Sequence, residues 1–303
     1  MQTKPSNRQA PTGFTALELL CIIGIIALLV ALLMPSLSRV KKISTRVVCG
    51  TNLKGLGAAM AVYANDYEDK YPQLPGCGPW SKRLGFDYTM QRPDFAPGGA
   101  ESDVPRTVSA SWYLLVREAD VSPKSFVCPE GGQVPFGGRY DYTYDRDITE
   151  LWDFGPDPWT HVSYAYHLPY GSFPADGSRG VAFAVAADTS PWFANGDVRP
   201  PGPRGQPPQL LDLNASAVSS LSYGKTPSLD NSPNHYLRGQ NVAYADGHAS
   251  FETATDVGIR RDGIYTYWPH ETPTDDEKRI GQNPTARDPD NDAKDPEDSF
   301  LVM

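Results

Sequence analysis

The apolar residues of the chain are concentrated near its N-terminus. Residues 1–13 are polar, with two bases and no acid, and the next segment, Phe14–Met34, carries a single charge, Glu18, in 21 residues. About 20 apolar residues span the core of a bilayer as a helix. A cleaved secretory signal has a shorter apolar region of roughly 7–15 residues, whereas the uninterrupted run Leu19–Met34 has 16. The pattern therefore predicts a retained transmembrane helix over residues 14–35.

The helical pattern continues beyond the apolar segment. Apolar residues recur there in two registers, each with the period of an amphipathic helix. The first register is Leu37, Val40, Ile43 and Val47, and the second is Cys49, Leu53, Leu56, Met60, Tyr63 and Tyr67. A polar stretch, Asn65–Lys70, ends the pattern just before Pro72. We therefore predict an amphipathic continuation of the helix over residues 36–71.

From residue 72 onward the pattern changes to short apolar runs between turn residues. These runs are Val104–Val116, Ser125–Cys128, Val162–Tyr166, Gly180–Ala187, Gln240–Ala245 and His248–Glu252. Asp246-Gly247 separates the last two, and this pair favours a type I′ turn between two strands. The chain has 29 Pro and 27 Gly, which excludes a helical bundle because both residues interrupt helices. We predict a β-rich globular body over residues 72–270.

The formal charge of −9 is distributed unevenly. Residues 271–303 contain ten acids and four bases, so that this segment alone carries −6. We predict an acidic, disordered tail there. The rest of the chain is close to neutral, and a basic surface of the kind that binds nucleic acid is not expected on the scale of the whole chain.

The N-terminal segment carries a specific motif. The string G-F-T-A-L-E-L-L, Gly13 to Leu20, resembles the class III signal of type IV pilins and type II secretion pseudopilins. The resemblance implies a leader peptide over residues 1–13, cleavage after Gly13, methylation of Phe14, and a role for Glu18 in setting the register of subunits in a filament. It also implies three kinds of partner, namely a prepilin peptidase, other pseudopilin subunits and an inner-membrane secretion platform.

The resemblance also decides the expected orientation in the inner membrane. Two bases precede the apolar segment and five follow it closely, so the positive-inside rule alone would place the body in the cytoplasm. The resemblance implies the opposite, a single-pass protein with a cytoplasmic leader and an extracytoplasmic body. We follow it, because the leader must reach a peptidase that faces the cytoplasm.

Further motifs resemble a pseudopilin-like family of planctomycetes and related bacteria. They are C-x-x-N-L-K-x-x-G at Cys49–Gly57, F-V-C-P at Phe126–Pro129 and A-A-D-T-S-P at Ala186–Pro191. His235 and Asp246-Gly247 resemble the His-x9-Asp-Gly motif of prepilin-type processing-associated proteins, although ten residues separate them here. The resemblance implies an α+β, pilin-like fold, in which a long N-terminal helix packs on an antiparallel sheet with large loop insertions.

The expected function is that of a non-catalytic fibre subunit without a cofactor. One alternative is a membrane-tethered module that binds a polysaccharide or a protein through its aromatic loops. Another is a metal-dependent enzyme that uses His235, Asp246 and His248. The sequence lacks a nucleophile elbow, a phosphate-binding loop and paired zinc-binding motifs, and we therefore do not expect an enzyme.

Calcium is a second metal to consider. Asp288, Asp290 and Asp292 have the spacing of an EF-hand loop, but the required Gly and terminal Glu are replaced by Ala293 and Ser299. A second acidic cluster, Asp141, Asp145 and Asp147, alternates with tyrosines. A calcium site in that cluster or near Asp246 remains an alternative.

The cysteines permit a disulfide if the body lies outside the cytoplasm. Cys21 falls within the apolar segment, where we expect it only to pack. Cys77–Cys128 is the preferred pair and Cys49 with either of them is the alternative, because spacing alone does not determine connectivity.

Overall fold

A computed structural model describes residues 13–74, 107–137, 147–194, 197–199, 230–284 and 292–303. The chain divides into two compact units, Met1–Ser44 and Thr45–Met303. Helix α1, Ala16–Asp66, contributes to both. Within the described ranges, the first unit consists of helix, and the second contains helices together with antiparallel strands.

The first turn of α1 is stabilised by reciprocal hydrogen bonds between Thr15 and Glu18. The Glu18 carboxylate accepts bonds from the Thr15 backbone N–H and hydroxyl, both at 2.8 Å. The Glu18 backbone N–H donates to Thr15 Oγ1 at 3.3 Å. This arrangement is a capping box, which satisfies backbone donors that a helix N-terminus leaves unpaired.

The first part of α1 exposes its apolar side chains. Residues 16–34 have a mean hydropathy of 2.9, and none of them is buried. By length and composition, this is the one helix among the described residues that is suited to cross a membrane. The structure is in this respect consistent with a single-pass anchor.

The second part of α1, from Thr45 to Asp66, buries one face. Cys49, Leu53, Leu56 and Met60 are fully buried, and Tyr63 is nearly so. The residues of the first apolar register, Leu37, Val40, Ile43 and Val47, are all exposed. The second register is therefore the packing face from Cys49 to Tyr63, whereas Tyr67, its last member, is exposed. The helix ends at Asp66, inside the polar stretch that the sequence predicts as its end.

The second unit is built around a five-stranded antiparallel sheet. Its strands are β1 (Tyr164–His167), β2 (Ala184–Asp188), β5 (Gln240–Tyr244), β6 (Ala249–Glu252) and β7 (Leu301–Val302). Their order is β6-β5-β2-β1-β7, so that β2 is central. A separate pair consists of β3 (Phe193–Ala194) and β4 (Asp197–Val198). All five residues of β2 are buried, and four of the five positions carry only the side chains of Ala or Val.

Side-chain hydrogen bonds connect the second part of α1 to this sheet. Asn52 Nδ2 donates to the Tyr164 hydroxyl of β1 at 3.1 Å and to the Val127 carbonyl at 3.2 Å. Beyond the helix end, the Tyr71 hydroxyl donates to the Ala245 carbonyl at 2.8 Å. The predicted α+β class, with helix against antiparallel sheet, is confirmed.

Two short helices complete the described elements. The apolar run that begins at Val104 forms helix α2, Val108–Glu118, with its N-cap at Thr107. Trp112 of α2 stacks on Tyr166 of β1, with ring centroids 5.1 Å apart. Helix α3, Asp275–Ile280, follows a second capping box, between Thr274 and Glu277. Single 3-10 turns lie at Pro123–Phe126, Ile148–Glu150, Pro158–Thr160, Pro233–His235 and Ile259–Arg261.

The predicted hairpin is confirmed, but its turn differs from the expected type I′. The Gly247 N–H donates to the Tyr244 carbonyl at 2.9 Å, and the Tyr244 N–H donates to the His248 carbonyl at 3.0 Å. Gly247 has φ +84°, whereas Asp246 has no positive φ. A type I′ turn needs positive φ at both central residues. The connection is therefore a three-residue loop in which glycine occupies the left-handed position.

The prediction of a disordered tail over residues 271–303 is wrong for the described part of that segment. Strand β7 pairs with β1 at the edge of the sheet. Phe300, Leu301 and Val302 are fully buried, because the segment ends in an apolar sequence, F-L-V-M, despite its acidic average. The Asp298 carboxylate accepts backbone hydrogen bonds from Trp268 and Lys294 at 3.0 and 2.8 Å.

The buried C-terminal strand generates a prediction on stability. Truncating Phe300 by Phe300→Ala removes a fully buried ring and should lower the free energy of unfolding by about 3–5 kcal/mol. The matched control is Ile280→Ala, at a position 65% exposed, where we expect a change below about 0.5 kcal/mol. Urea unfolding of the full chain in detergent, followed by tryptophan fluorescence, measures both. Equal effects of the two substitutions would contradict the packing of the C-terminus.

Candidate functional site

Four buried side chains from distant parts of the chain meet at the end of β2. They are Cys49, Cys128, Asp188 and His235, called below the four-residue cluster. Their potential ligand atoms, two thiol sulfurs, one carboxylate oxygen and one imidazole nitrogen, all lie within 4.8 Å of one another. No member is more than 2% exposed.

Each member is positioned by a different element. Cys49 lies on the buried face of α1, and Asp188 is the last residue of β2. Cys128 follows the 3-10 turn Pro123–Phe126. His235 ends the turn Pro233–His235, which has proline in its first turn and is capped by the Ser232 hydroxyl. The cluster therefore forms only when the helix, the sheet and two loops are assembled.

The two thiols are in direct contact. Cys49 Sγ donates to Cys128 Sγ across 2.8 Å. This hydrogen bond, reinforced by burial, raises the pKa of Cys49, and the same bond lowers the pKa of Cys128.

The structure describes three of the four cysteines, so that the preferred pairing of Cys77 with Cys128 stays a prediction. The thiol beside Cys128 is that of Cys49, the alternative partner named above, and the preferred partner, Cys77, lies outside the described residues. Cys21 is exposed on α1.

The His235 ring is held between two carboxylates. Its Nδ1 lies 3.2 Å from Glu130 Oε2, and its Nε2 lies 3.2 Å from Asp188 Oδ2. Burial opposes the charged form, but the hydrogen bond and charge of Asp188, followed by Cys128 and Glu130, outweigh it and raise the pKa of His235. Both ring nitrogens are therefore oriented by neighbouring groups.

Asp188 is fully buried, and only one of its two carboxylate oxygens accepts hydrogen bonds. Its Oδ2 accepts hydrogen bonds from the backbone N–H and side-chain Nδ2 of Asn241, at 2.6 and 3.0 Å. Its Oδ1 is buried and has no hydrogen-bond partner. A buried carboxylate oxygen without a partner is costly, and such atoms are rare in folded proteins.

Arg46 and a cavity lie next to the cluster. The Arg46 guanidinium is centred 3.9 Å over the Phe251 ring, and its charge interacts with Glu130 and Asp188. A cavity of about 440 Å³ is lined by residues that include Glu130, Trp159, Arg199 and Asn234. Glu130 is thus shared between this cavity and the His235 ring.

The predicted grouping of His235, Asp246 and His248 is wrong. Asp246 and His248 contact each other at the hairpin turn, where both are partly exposed. His235 precedes β5 and the other two follow it, so the whole five-residue strand, about 17 Å long, intervenes. The metal-dependent enzyme built on these three residues therefore has no structural basis.

Those acidic calcium candidates that the structure describes accept hydrogen bonds from neighbouring backbone and hydroxyl groups. Asp147 caps a 3-10 turn by accepting hydrogen bonds from the Thr149 N–H and hydroxyl, at 3.0 and 3.1 Å. Asp292 accepts a bond from the Ser172 N–H at 2.8 Å. Asp141, Asp145, Asp288 and Asp290 lie outside the described residues.

The aromatic side chains serve mainly as core. Of the tryptophans that the structure describes, four are at most 7% exposed, and Trp159 is half-buried. Those four are Trp112, Trp152, Trp192 and Trp268. Trp80 lies outside the described ranges.

Each member of the cluster lies in one of the sequence motifs described above, although sequence reasoning did not group the four residues together. Cys49 opens the C-x-x-N-L-K-x-x-G motif, Cys128 lies in F-V-C-P, Asp188 lies in A-A-D-T-S-P, and His235 opens the last motif. Each motif thus contributes one residue to a single cluster, and this one-to-one correspondence is the signal that would have found it. The fold and cluster define an α+β protein with a buried centre of two cysteines, one aspartate and one histidine. No family model, curated protein or solved structure matches the chain.

The close approach of Asn241 to α1 generates a prediction. A Cβ at Gly50 would lie 3.0 Å from Asn241 Oδ1, whose side chain is fixed by hydrogen bonds to Asp188. Gly50→Ala should therefore destabilise the body by about 1–3 kcal/mol. Gly55→Ala in the same helix meets no atom within 4 Å and should stabilise it by about 0.5–1 kcal/mol. The same urea unfolding measures both, and a stabilising Gly50→Ala would refute the close packing.

Proposed function

We propose that the chain is a non-catalytic, prepilin-like subunit, anchored in the inner membrane and assembled into a type II secretion pseudopilus or a type IV pilus-like fibre. The observation that carries the proposal is that two stretches of α1 differ in what they expose. One stretch of this helix exposes apolar side chains around its whole circumference, and a later stretch packs one face into an α+β body. The motif Gly13 to Leu20 lies at the start of this helix.

The exposed apolar stretch of α1 would need a cover both before and after fibre assembly. Contiguous apolar surface of this extent marks a membrane or protein contact. Before assembly, lipid would cover it, and within a fibre the same stretches of neighbouring subunits would bundle around a common axis. In either state, the hydrophobic surface of residues 16–34 is removed from water.

Glu18 would have one role within its own chain and another between chains. Within the chain, its Oε2 accepts both hydrogen bonds from Thr15. In the fibre, its charge would offset the Phe14 ammonium of a neighbouring subunit. A lone carboxylate within an apolar environment is costly, and a paired one is much less so. This difference would favour the one register in which the pair forms.

The alternative of a membrane-tethered binding module has less support. It relies on aromatic side chains presented to a ligand, and those described are mostly buried in the core. It also gives no role to the processing motif, since an uncleaved helix would serve equally well as an anchor.

Processing by the prepilin peptidase is the first test. We expect the chain extracted from membranes of a strain with that peptidase to begin at a methylated Phe14, as measured by intact-mass and N-terminal peptide analysis. Gly13→Val should leave the leader attached. The control Gly24→Val makes the same change at a site that also has no atom within 4 Å and should be processed normally. A wild-type chain with an intact leader, or cleaved elsewhere, would refute the proposal.

Assembly tests the role of the Glu18 charge. Glu18→Gln preserves the hydrogen-bond acceptor of the capping box but removes the charge, so we expect normal insertion and processing with at least tenfold less chain in sheared fibres. Glu18→Ala removes both features and should show the same loss. Fibre incorporation of Glu18→Gln at the wild-type level would show that the carboxylate acts only as a cap.

A further inference from the structure

We propose that the four-residue cluster is a structural zinc site that fixes the second part of α1 to the sheet. The ligands are Cys49 Sγ, Cys128 Sγ, one Asp188 carboxylate oxygen and His235 Nε2, which already lie within 4.8 Å of one another. Two thiolates, one imidazole and one carboxylate match the donors and coordination number that zinc takes in proteins. Calcium does not match this donor set, because it takes oxygen ligands.

The burial of the cluster indicates a structural rather than a catalytic metal. Catalytic zinc sites keep one position open to water or substrate, whereas structural sites have four protein ligands. Here four donors are present and every one belongs to a residue at most 2% exposed. The elements they join, α1, β2 and two loops, are those whose relative positions the body depends on.

The surrounding groups have the arrangement of a second coordination shell. Glu130 lies 3.2 Å from His235 Nδ1, and an outer carboxylate of this kind fixes the orientation of the ring. His235 Nε2 faces Asp188 Oδ2 at 3.2 Å and Asn241 Nδ2 at 3.1 Å, and metal binding would replace its contact with the amide. Asn241 donates twice to Asp188 Oδ2, which holds the carboxylate in the cluster. Glu130 also lines the adjacent cavity.

The unpaired Asp188 oxygen is the second, independent observation. Asp188 is fully buried, yet its Oδ1 has no hydrogen-bond partner. A bound cation would satisfy this carboxylate and offset the negative charge of two thiolates. The two thiolates, the carboxylate and the zinc ion together would carry a net charge of about −1. The Arg46 cation interacts with the carboxylates of Glu130 and Asp188.

A disulfide between Cys49 and Cys128 is the alternative explanation for the close approach of the two sulfur atoms. The Sγ atoms are 2.8 Å apart, and two thiolates on one tetrahedral zinc ion would lie about 3.8 Å apart, so metal binding requires them to separate by about 1 Å. A disulfide, however, involves only the sulfurs. It gives no function to the orientation of His235 by two carboxylates and leaves Asp188 Oδ1 unpaired.

Zinc content and thiol state, measured on one sample of the full chain in detergent, test the proposal. We expect about one zinc ion per wild-type chain by mass spectrometry of the metal. After denaturation without reductant, peptide mapping should find Cys49 and Cys128 both alkylated. The variants Cys49→Ser and His235→Gln should lose at least tenfold in zinc. The controls Cys21→Ser and His248→Gln make the same substitutions at exposed residues and should retain the metal.

Several results would overturn the proposal. These are less than half a zinc ion per wild-type chain after incubation with zinc, a Cys49–Cys128 disulfide in the peptide map, or unchanged zinc in the folded cluster variants. If the variants do not fold, cobalt(II) bound to the wild-type chain decides the question. Thiolate-to-cobalt charge transfer with the intense visible bands of a tetrahedral ion supports the site, and a weak octahedral spectrum overturns it. These measurements are independent of fibre assembly and processing.

Discussion

The packing of one face of α1 on the antiparallel sheet is the constraint on which the body depends. Along residues 49–63 the helix buries Cys49, Leu53, Leu56, Met60 and Tyr63, while the opposite side stays in solvent. That stretch includes Gly50, Gly55 and Gly57, each of which costs about 1 kcal/mol relative to alanine in a helix interior. Most of the helical stability there must therefore come from tertiary contacts rather than from local propensity.

One of these glycines is explained by a close contact. A Cβ at Gly50 would approach Asn241 Oδ1 to 3.0 Å, whereas one at Gly57 would meet the Gly247 backbone at an ordinary contact distance of 3.8 Å. The loss of intrinsic helix stability is thus linked to close approach between the helix and the β5–β6 hairpin. Asn241, in turn, holds Asp188 at the end of the central strand, so the same approach builds the four-residue cluster.

The sequence predicted the local elements well, because their signals lie within a few residues. The second register of α1 matched a buried face, and Asp246-Gly247 marked a hairpin, although glycine alone took the left-handed position. The prediction of a disordered tail over residues 271–303 was wrong for a different reason. Its average composition is acidic, but the few apolar residues at its end pair with β1, and a composition average does not detect a strand that is held by tertiary contacts.

The four-residue cluster could not be predicted from local sequence patterns, because its members are far apart in sequence. Cys49 and Cys128 are 79 residues apart, and Glu130, which contacts the His235 ring from outside the cluster, is 105 residues from it. Only the topology brings them together: β2 is central and β5 is its neighbour. Pairing His235 with the nearest acidic motif, Asp246, ignored the length of the strand between them.

The place of the cluster along α1 connects the two proposals physically. Among the residues of α1 whose side chains the structure describes, Cys49 is the first that is buried. A fibre subunit would transmit force between its helix and its body at that point, where the helix has little intrinsic stability of its own. Noncovalent packing of a glycine-containing turn yields under load more easily than bonds from a metal to helix, strand and loops. A cross-link at Cys49 would therefore act at the first buried position of the helix, close to the contact between Arg46 and Phe251.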